Sequence, residues 1–84
     1  MSRIVDAELK IGLIVMEMEG LVGIPDARKT FLEIGCDSLG ILEIQQQAEE
    51  VFGIQYTHAD LQDVFTIADL AAVSLRRMKA SQVF

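Results

Sequence analysis

The chain has 84 residues, enough for one small domain, and its 51% apolar and 24% charged residues give the balance of a folded protein rather than a disordered one. Seven basic against thirteen acidic side chains leave a formal charge of −6. The single cysteine excludes an internal disulfide and any cysteine-built metal site. The longest apolar run, Ile11 to Met16, is far too short to span a membrane, and Asp6 and Glu8 argue against a secretory signal. The expectation is a soluble, cytoplasmic domain, stabilised by packing alone and too small for a deep enzymatic cleft.

In residues 4–19, Val5, Leu9, Leu13 and Met16 recur at helical spacing, which predicts a first helix with that stripe turned inward. Ile11, Ile14, Val15 and Met18 widen the stripe, so burial on more than one side is expected. Gly20 and Gly23 terminate this helix, and Pro25 begins an irregular connection running to residue 37, in which Phe31, Leu32 and Ile34 must pack onto the core. Ordered connections of that length often serve a function.

Asp37 stands where the N-cap of a second helix belongs, about 38–52. Ile41, Ile44, Ala48 and Val51 form its expected buried face, and Leu39, Glu43, Gln46 and Glu50 a mostly polar one. Gly53 fits a left-handed cap. Residues 58–64 read as a short helix contributing Leu61 and Val64, with His58 capping it or facing solvent. Thr66 and Asp69 have the spacing of a capping box, and a last helix follows at about 67–79 with Ile67, Leu70, Val73 and Met78 inward. Its Arg76, Arg77 and Lys79 suit the negative end of the helix dipole. With no strand pattern, repeat or low-complexity tract, the fold expected is an all-α bundle of three main helices plus a short one.

Charge is unevenly spread. Residues 31–70 hold eight acidic side chains and no Lys or Arg. That segment repels a nucleic-acid backbone and steers the domain toward basic patches on partner proteins.

Gly35-Cys36-Asp37-Ser38-Leu39 puts a serine hydroxyl in the first turn of the second helix, after a glycine and a capping aspartate. Unpaired N–H groups and the positive end of the dipole make such a terminus hospitable to a phosphate. Gly35 allows either a tight turn or close approach of another backbone, and Asp37 can take up a first-turn N–H and so orient Ser38. Cys36 has no base placed to activate it, His58 belongs to another element, and Met16, Met18 and Met78 read as core filler.

The chain resembles the carrier-protein family, which includes acyl carrier proteins and peptidyl carrier domains. Its Gly-x-Asp-Ser-Leu pattern is met at Gly35, Asp37, Ser38 and Leu39, a coincidence expected at roughly one position in tens of thousands. Phe31-Leu32-Glu33-Ile34-Gly35, Glu49-Glu50-Val51-Phe52-Gly53-Ile54 and Phe65 through Ala71 are similar to the family's flanking segments, so the likeness runs from Phe31 to about Ala72. It implies a four-helix carrier bundle, catalysing nothing itself, with 4′-phosphopantetheine attached to Ser38 by a phosphopantetheinyl transferase using coenzyme A and Mg²⁺. It implies further partners: acyl- or aminoacyl-loading enzymes, synthases or condensation enzymes, and a thioesterase. Gly35 and Asp37 would shape the attachment site. Leu39 and Leu42 would be apolar anchors for partners, and Glu43 and Glu50 would offer them charge.

Gly40 and the Gln45–Gln47 stretch are neutral where the fatty-acid members are acidic, which points to polyketide or nonribosomal-peptide assembly. The alternatives are a carrier of D-alanine or another single amino acid, and an unmodified acidic helical interaction module that is indifferent to Ser38. A monomer is expected. Met1 and the short tail suit a free-standing protein, as they would an excised synthase domain.

Overall fold

A computed structural model describes residues 3–81. Five helices follow in chain order: α1 (Arg3–Glu19), α2 (Phe31–Ile34), α3 (Ser38–Phe52), α4 (His58–Leu61) and α5 (Ile67–Ser81). The core lies where α1 packs on α5 and α3. It is built from Ala7, Ile11, Ile14 and Val15 of α1, Ile44 and Ala48 of α3, and Ile67, Leu70 and Ala71 of α5. The alanines at these contacts let the helix axes approach closely. Among the described residues there is no strand, and no helix is long and apolar enough to cross a membrane.

The α1 stripe expected inward faces the other way. Val5, Leu9 and Leu13 are 61%, 45% and 41% exposed, and Met16 is half-buried. The helix is apolar on two sides, and α3 and α5 take the side carrying Ala7, Ile11, Ile14 and Val15. Gly12 lies beneath the following loop, because a Cβ there would stand 2.7 Å from Ile24 Cγ2.

The connection expected to be irregular holds one helical turn, α2. Thr30 and Glu33 make a capping box: Thr30 Oγ1 accepts the Glu33 N–H at 3.1 Å, and Glu33 Oε1 accepts the Thr30 N–H at 2.8 Å. Phe31 enters the core and Ile34 is half-buried, but Leu32 is turned outward, since one helical turn points successive residues in different directions. The segment is tied to the start of α5 by an isolated bridge between Thr30 and Thr66. The Phe31 N–H bonds the Phe65 carbonyl, and the Ala68 N–H bonds that of Ala27, each at 2.9 Å.

On α3, Ile44 and Ala48 are buried and Ile41 partly so, as expected, but Val51 is 52% exposed. The row at spacing four continues through Phe52, which packs against the core and leaves Val51 about 100° away. Gly53, at φ +65°, ends the helix, and its N–H bonds the Glu49 carbonyl.

The short helix α4 stops at Leu61 rather than Val64, although both residues pack on the core. Thr57 caps it in a box with Asp60, while His58 is its exposed first residue and caps nothing. The Thr66–Asp69 box forms as expected, with the Asp69 N–H on Thr66 Oγ1 at 3.0 Å and the Thr66 N–H on Asp69 Oδ2 at 3.1 Å. Arg77 does not serve the end of α5. It reaches Asp60 through two hydrogen bonds of 2.6 and 3.2 Å and so joins α4 to α5. Ser74, fully buried, donates to the Leu70 carbonyl and shares a 2.5 Å hydrogen bond with the Tyr56 hydroxyl.

Candidate functional site at the start of helix α3

Between α2 and α3 the chain makes one sharp turn. Gly35 closes α2 at φ +111°, and its N–H bonds the carbonyls of Phe31 and Leu32. Nothing lies within 4 Å of where its Cβ would be, so glycine is needed for the backbone angle and not for a close approach. The Cys36 N–H bonds the Phe31 carbonyl at 2.9 Å, and its side chain is buried at 3% exposure. Burial first, then the charges of Glu19 and Asp37, push the Cys36 thiol above its ordinary range. The thiol therefore anchors the loop as a small apolar group and is not a nucleophile.

With Cys36 held inside, Asp37 follows in extended backbone. Its Oδ1 accepts the Gly40 N–H at 2.7 Å and its carbonyl accepts the Ile41 N–H at 2.9 Å. Ser38 is the first residue of α3 and is exposed. Among the described residues, no acceptor takes up the amides of Ser38 and Leu39. The serine hydroxyl thus stands at an open helix start with two donors free and the dipole's positive end beneath it.

Leu39 and Leu42, 64% and 49% exposed, continue outward from Ser38, with Glu43 beside them. Glu50 is exposed too but lies about 18 Å along the helix axis from Ser38. There it lines an open groove of about 580 Å³ with Glu49, Gly53, Ile54, Gln55, Arg77 and Ala80. The structure therefore groups Gly35, Asp37, Ser38, Leu39, Leu42 and Glu43 and sets Glu50 apart. Leu32, expected in the core, and Phe65, 73% and 60% exposed, add apolar surface near this turn. Glu19 is a further unforeseen neighbour: its carboxylate reaches the first turn of α3 at Gly40 from the end of α1. No group of His, Cys, Asp and Glu among the described residues could hold a metal ion.

The sequence profile of the phosphopantetheine attachment site family matches residues 12–73, most of the chain, and the turn and helix just described lie inside that match. The chain belongs to this family, whose members are carrier proteins bearing a covalent 4′-phosphopantetheine. Such carrier domains are generally non-catalytic and work with a phosphopantetheinyl transferase and with synthase enzymes. A search of curated proteins gives no match.

Proposed function

We propose that Ser38 is the attachment point and that the protein carries acyl or aminoacyl thioesters between the enzymes of polyketide or nonribosomal-peptide assembly. The observation that supports the attachment point most strongly is the exposed Ser38 hydroxyl at the open start of α3, preceded by the Asp37 cap. The residues present fit a phosphodiester. The free amides of Ser38 and Leu39 and the helix dipole favour its negative charge, and no side chain crowds the Gly35 turn. In the modification, the Ser38 hydroxyl gives up its proton to a base of the transferase or to solvent and forms one phosphoester bond as the pyrophosphate bond of coenzyme A breaks, releasing adenosine 3′,5′-bisphosphate, with Mg²⁺ supplied at the transferase. The attached arm ends in a thiol that holds cargo as a thioester and keeps it near each partner at high effective concentration.

Every other part falls to the chain itself. Asp37 fixes the first turn, Gly35 sets its angle, and Cys36 anchors it from inside. Leu39 and Leu42 offer partners an apolar contact, and Glu43 meets a basic patch on them, with Glu50 reached only by a partner whose footprint follows the whole helix. The neutral Gly40 and Gln45–Gln47 support the assembly-line reading over a fatty-acid one. Incubation with coenzyme A, Mg²⁺ and a phosphopantetheinyl transferase tests the proposal. The intact mass should rise by one phosphopantetheine in the wild type and stay unchanged in Ser38→Ala. A wild-type chain that is folded, initially unmodified and inert to several transferases would return the protein to the class of acidic interaction modules.

A further inference from the structure

The capping boxes that open α2, α4 and α5 are not alike. In two of them the acidic side chain takes up one backbone amide: Glu33 Oε1 accepts the Thr30 N–H and Asp60 Oδ2 the Thr57 N–H, each at 2.8 Å. Asp69 Oδ2 accepts two, the Thr66 N–H at 3.1 Å and the Phe65 N–H at 3.0 Å. The second bond reaches beyond the helix, because Phe65 precedes the Thr66 cap. With its side chain 60% exposed, Phe65 gains little from packing, and hydrogen bonds hold its backbone on both sides instead. Its N–H goes to Asp69, and its carbonyl accepts the Phe31 N–H at 2.9 Å. The Phe31 carbonyl in turn accepts the N–H groups of Gly35 at 3.2 Å and Cys36 at 2.9 Å, while the Phe31 side chain is buried. Asp37 and Ser38 follow directly.

We propose that Asp69 is a positioning residue for the modification of Ser38, acting through Phe65 and Phe31 on the turn that presents the serine. This rests on Ser38 being the attachment point. Asp69 itself bonds neither the serine nor its turn. Its carboxylate fixes the Phe65 backbone, the Phe65 carbonyl fixes Phe31, and the Phe31 carbonyl fixes Gly35 and Cys36. Without the carboxylate, the Phe65 and Thr66 amides lose their acceptor and turn toward water. The Phe65 carbonyl then loses its aim at Phe31, and the Gly35–Cys36 turn loosens with it.

The loss is one of orientation rather than of fold. The bond from the Ala68 N–H to the Ala27 carbonyl and the buried Phe31 and Ile67 keep the two segments together. Leu39, Leu42 and Glu43 stand on α3, whose own backbone bonds do not pass through Asp69, so the face offered to partners is unchanged. A reacting group displaced by about 1 Å can lose up to a hundredfold in rate, so a loosened turn acts on the transfer step more than on binding.

Kinetics of phosphopantetheine transfer from coenzyme A and amide hydrogen exchange of the full chain together test this. In Asp69→Ala, kcat for transfer to Ser38 should fall about tenfold while KM for the carrier changes by less than about twofold. Asp69→Asn keeps an oxygen where Oδ2 stands and should transfer within about twofold of the wild type. Asp60→Asn, assayed equally far below its melting midpoint, is the control for lost stability. Circular dichroism checks folding, and Asp69→Ser carries the comparison should Asp69→Ala not fold. The Phe31, Gly35 and Cys36 amides should exchange at least about tenfold faster in Asp69→Ala, with that of Ala48 in α3 unchanged. Exchange needs no modification of Ser38, so it decides the relay even where transfer fails and the carrier reading with it. A kcat in Asp69→Ala no lower than in Asp60→Asn overturns the proposal. An Asp69→Asn chain as slow as Asp69→Ala does so too, by tracing the effect to charge, as does unaltered exchange at Gly35 and Cys36.

Discussion

The carboxylate of Glu19 lies against the first turn of α3 at the point where Gly40 presents no side chain. A Cβ on Gly40 would stand 3.1 Å from Glu19 Oε2 and 3.2 Å from Asp37 Oδ1. Helix α3 has no acidic residue in its own first turn, and Glu19 brings one in from α1 beside the positive end of the dipole. In Gly40→Ala both carboxylates must shift by a few tenths of an ångström, which offsets the helix preference of alanine. Thermal denaturation should show a net change below about 1 kcal/mol. Asp37→Ala, which removes the cap itself, should lose about 1 kcal/mol and slow modification at Ser38.

Gly35 is a stricter position. At φ +111° a Cβ is strained whatever the space around it, and the residues it positions are Cys36, Asp37 and Ser38. Gly35→Ala should destabilise the fold by about 1–2 kcal/mol. The rate of phosphopantetheine transfer should fall by more than that of a distant variant of equal stability. Equal rates at matched stability would show that the turn does not position the serine.

Acid acts on the contact between α4 and α5. The hydrogen bonds from Arg77, and next the Thr57 N–H, hold the Asp60 carboxyl at about 2, below its ordinary value of 3.8. Glu33 is lowered in the same direction by its bonds to Thr30. A carboxyl depressed in the folded state stabilises the fold at pH above its unfolded value, and the stabilisation is lost as pH falls through its folded value. Thermal midpoints should therefore drop between pH 4 and 2, and Asp60→Asn should flatten part of that drop. A midpoint profile identical in Asp60→Asn would contradict the assignment.

The partner face proposed on α3 predicts a salt signature. Residues 31–70 contain eight acidic and no basic side chains, so the transferase KM should rise as salt increases from about 50 to 300 mM. Leu39→Ala should raise KM several-fold at constant melting temperature, because Leu39 is 64% exposed and supports no core contact. An affinity insensitive to salt would remove the steering role given to this segment.

Local chemistry made much of this legible. The Asp37 cap, the Gly53 cap and the Thr66–Asp69 box are written in short stretches whose residues bond their own neighbours, and each forms as the sequence implies. The Thr30–Glu33 box has the same spacing but lies in a segment whose Gly20, Gly23 and Pro25 read as loop, so α2 was hidden behind its surroundings. Orientation was harder. Periodicity finds an apolar face but cannot choose between the two faces of α1, nor decide between Val51 and Phe52 in the last turn of α3. The approach of Glu19 to Gly40 joins residues far apart in the chain, and no local pattern signals it.

The central claim is that the prosthetic group sits on Ser38 and on no other hydroxyl. After transfer from coenzyme A, proteolysis and tandem mass spectrometry should locate the phosphopantetheine on the peptide spanning residues 37–39. Peptides carrying Ser2, Thr30, Thr57, Thr66, Ser74 and Ser81 should be unmodified. Modification found on any of those residues, or persisting in Ser38→Ala, would contradict the account.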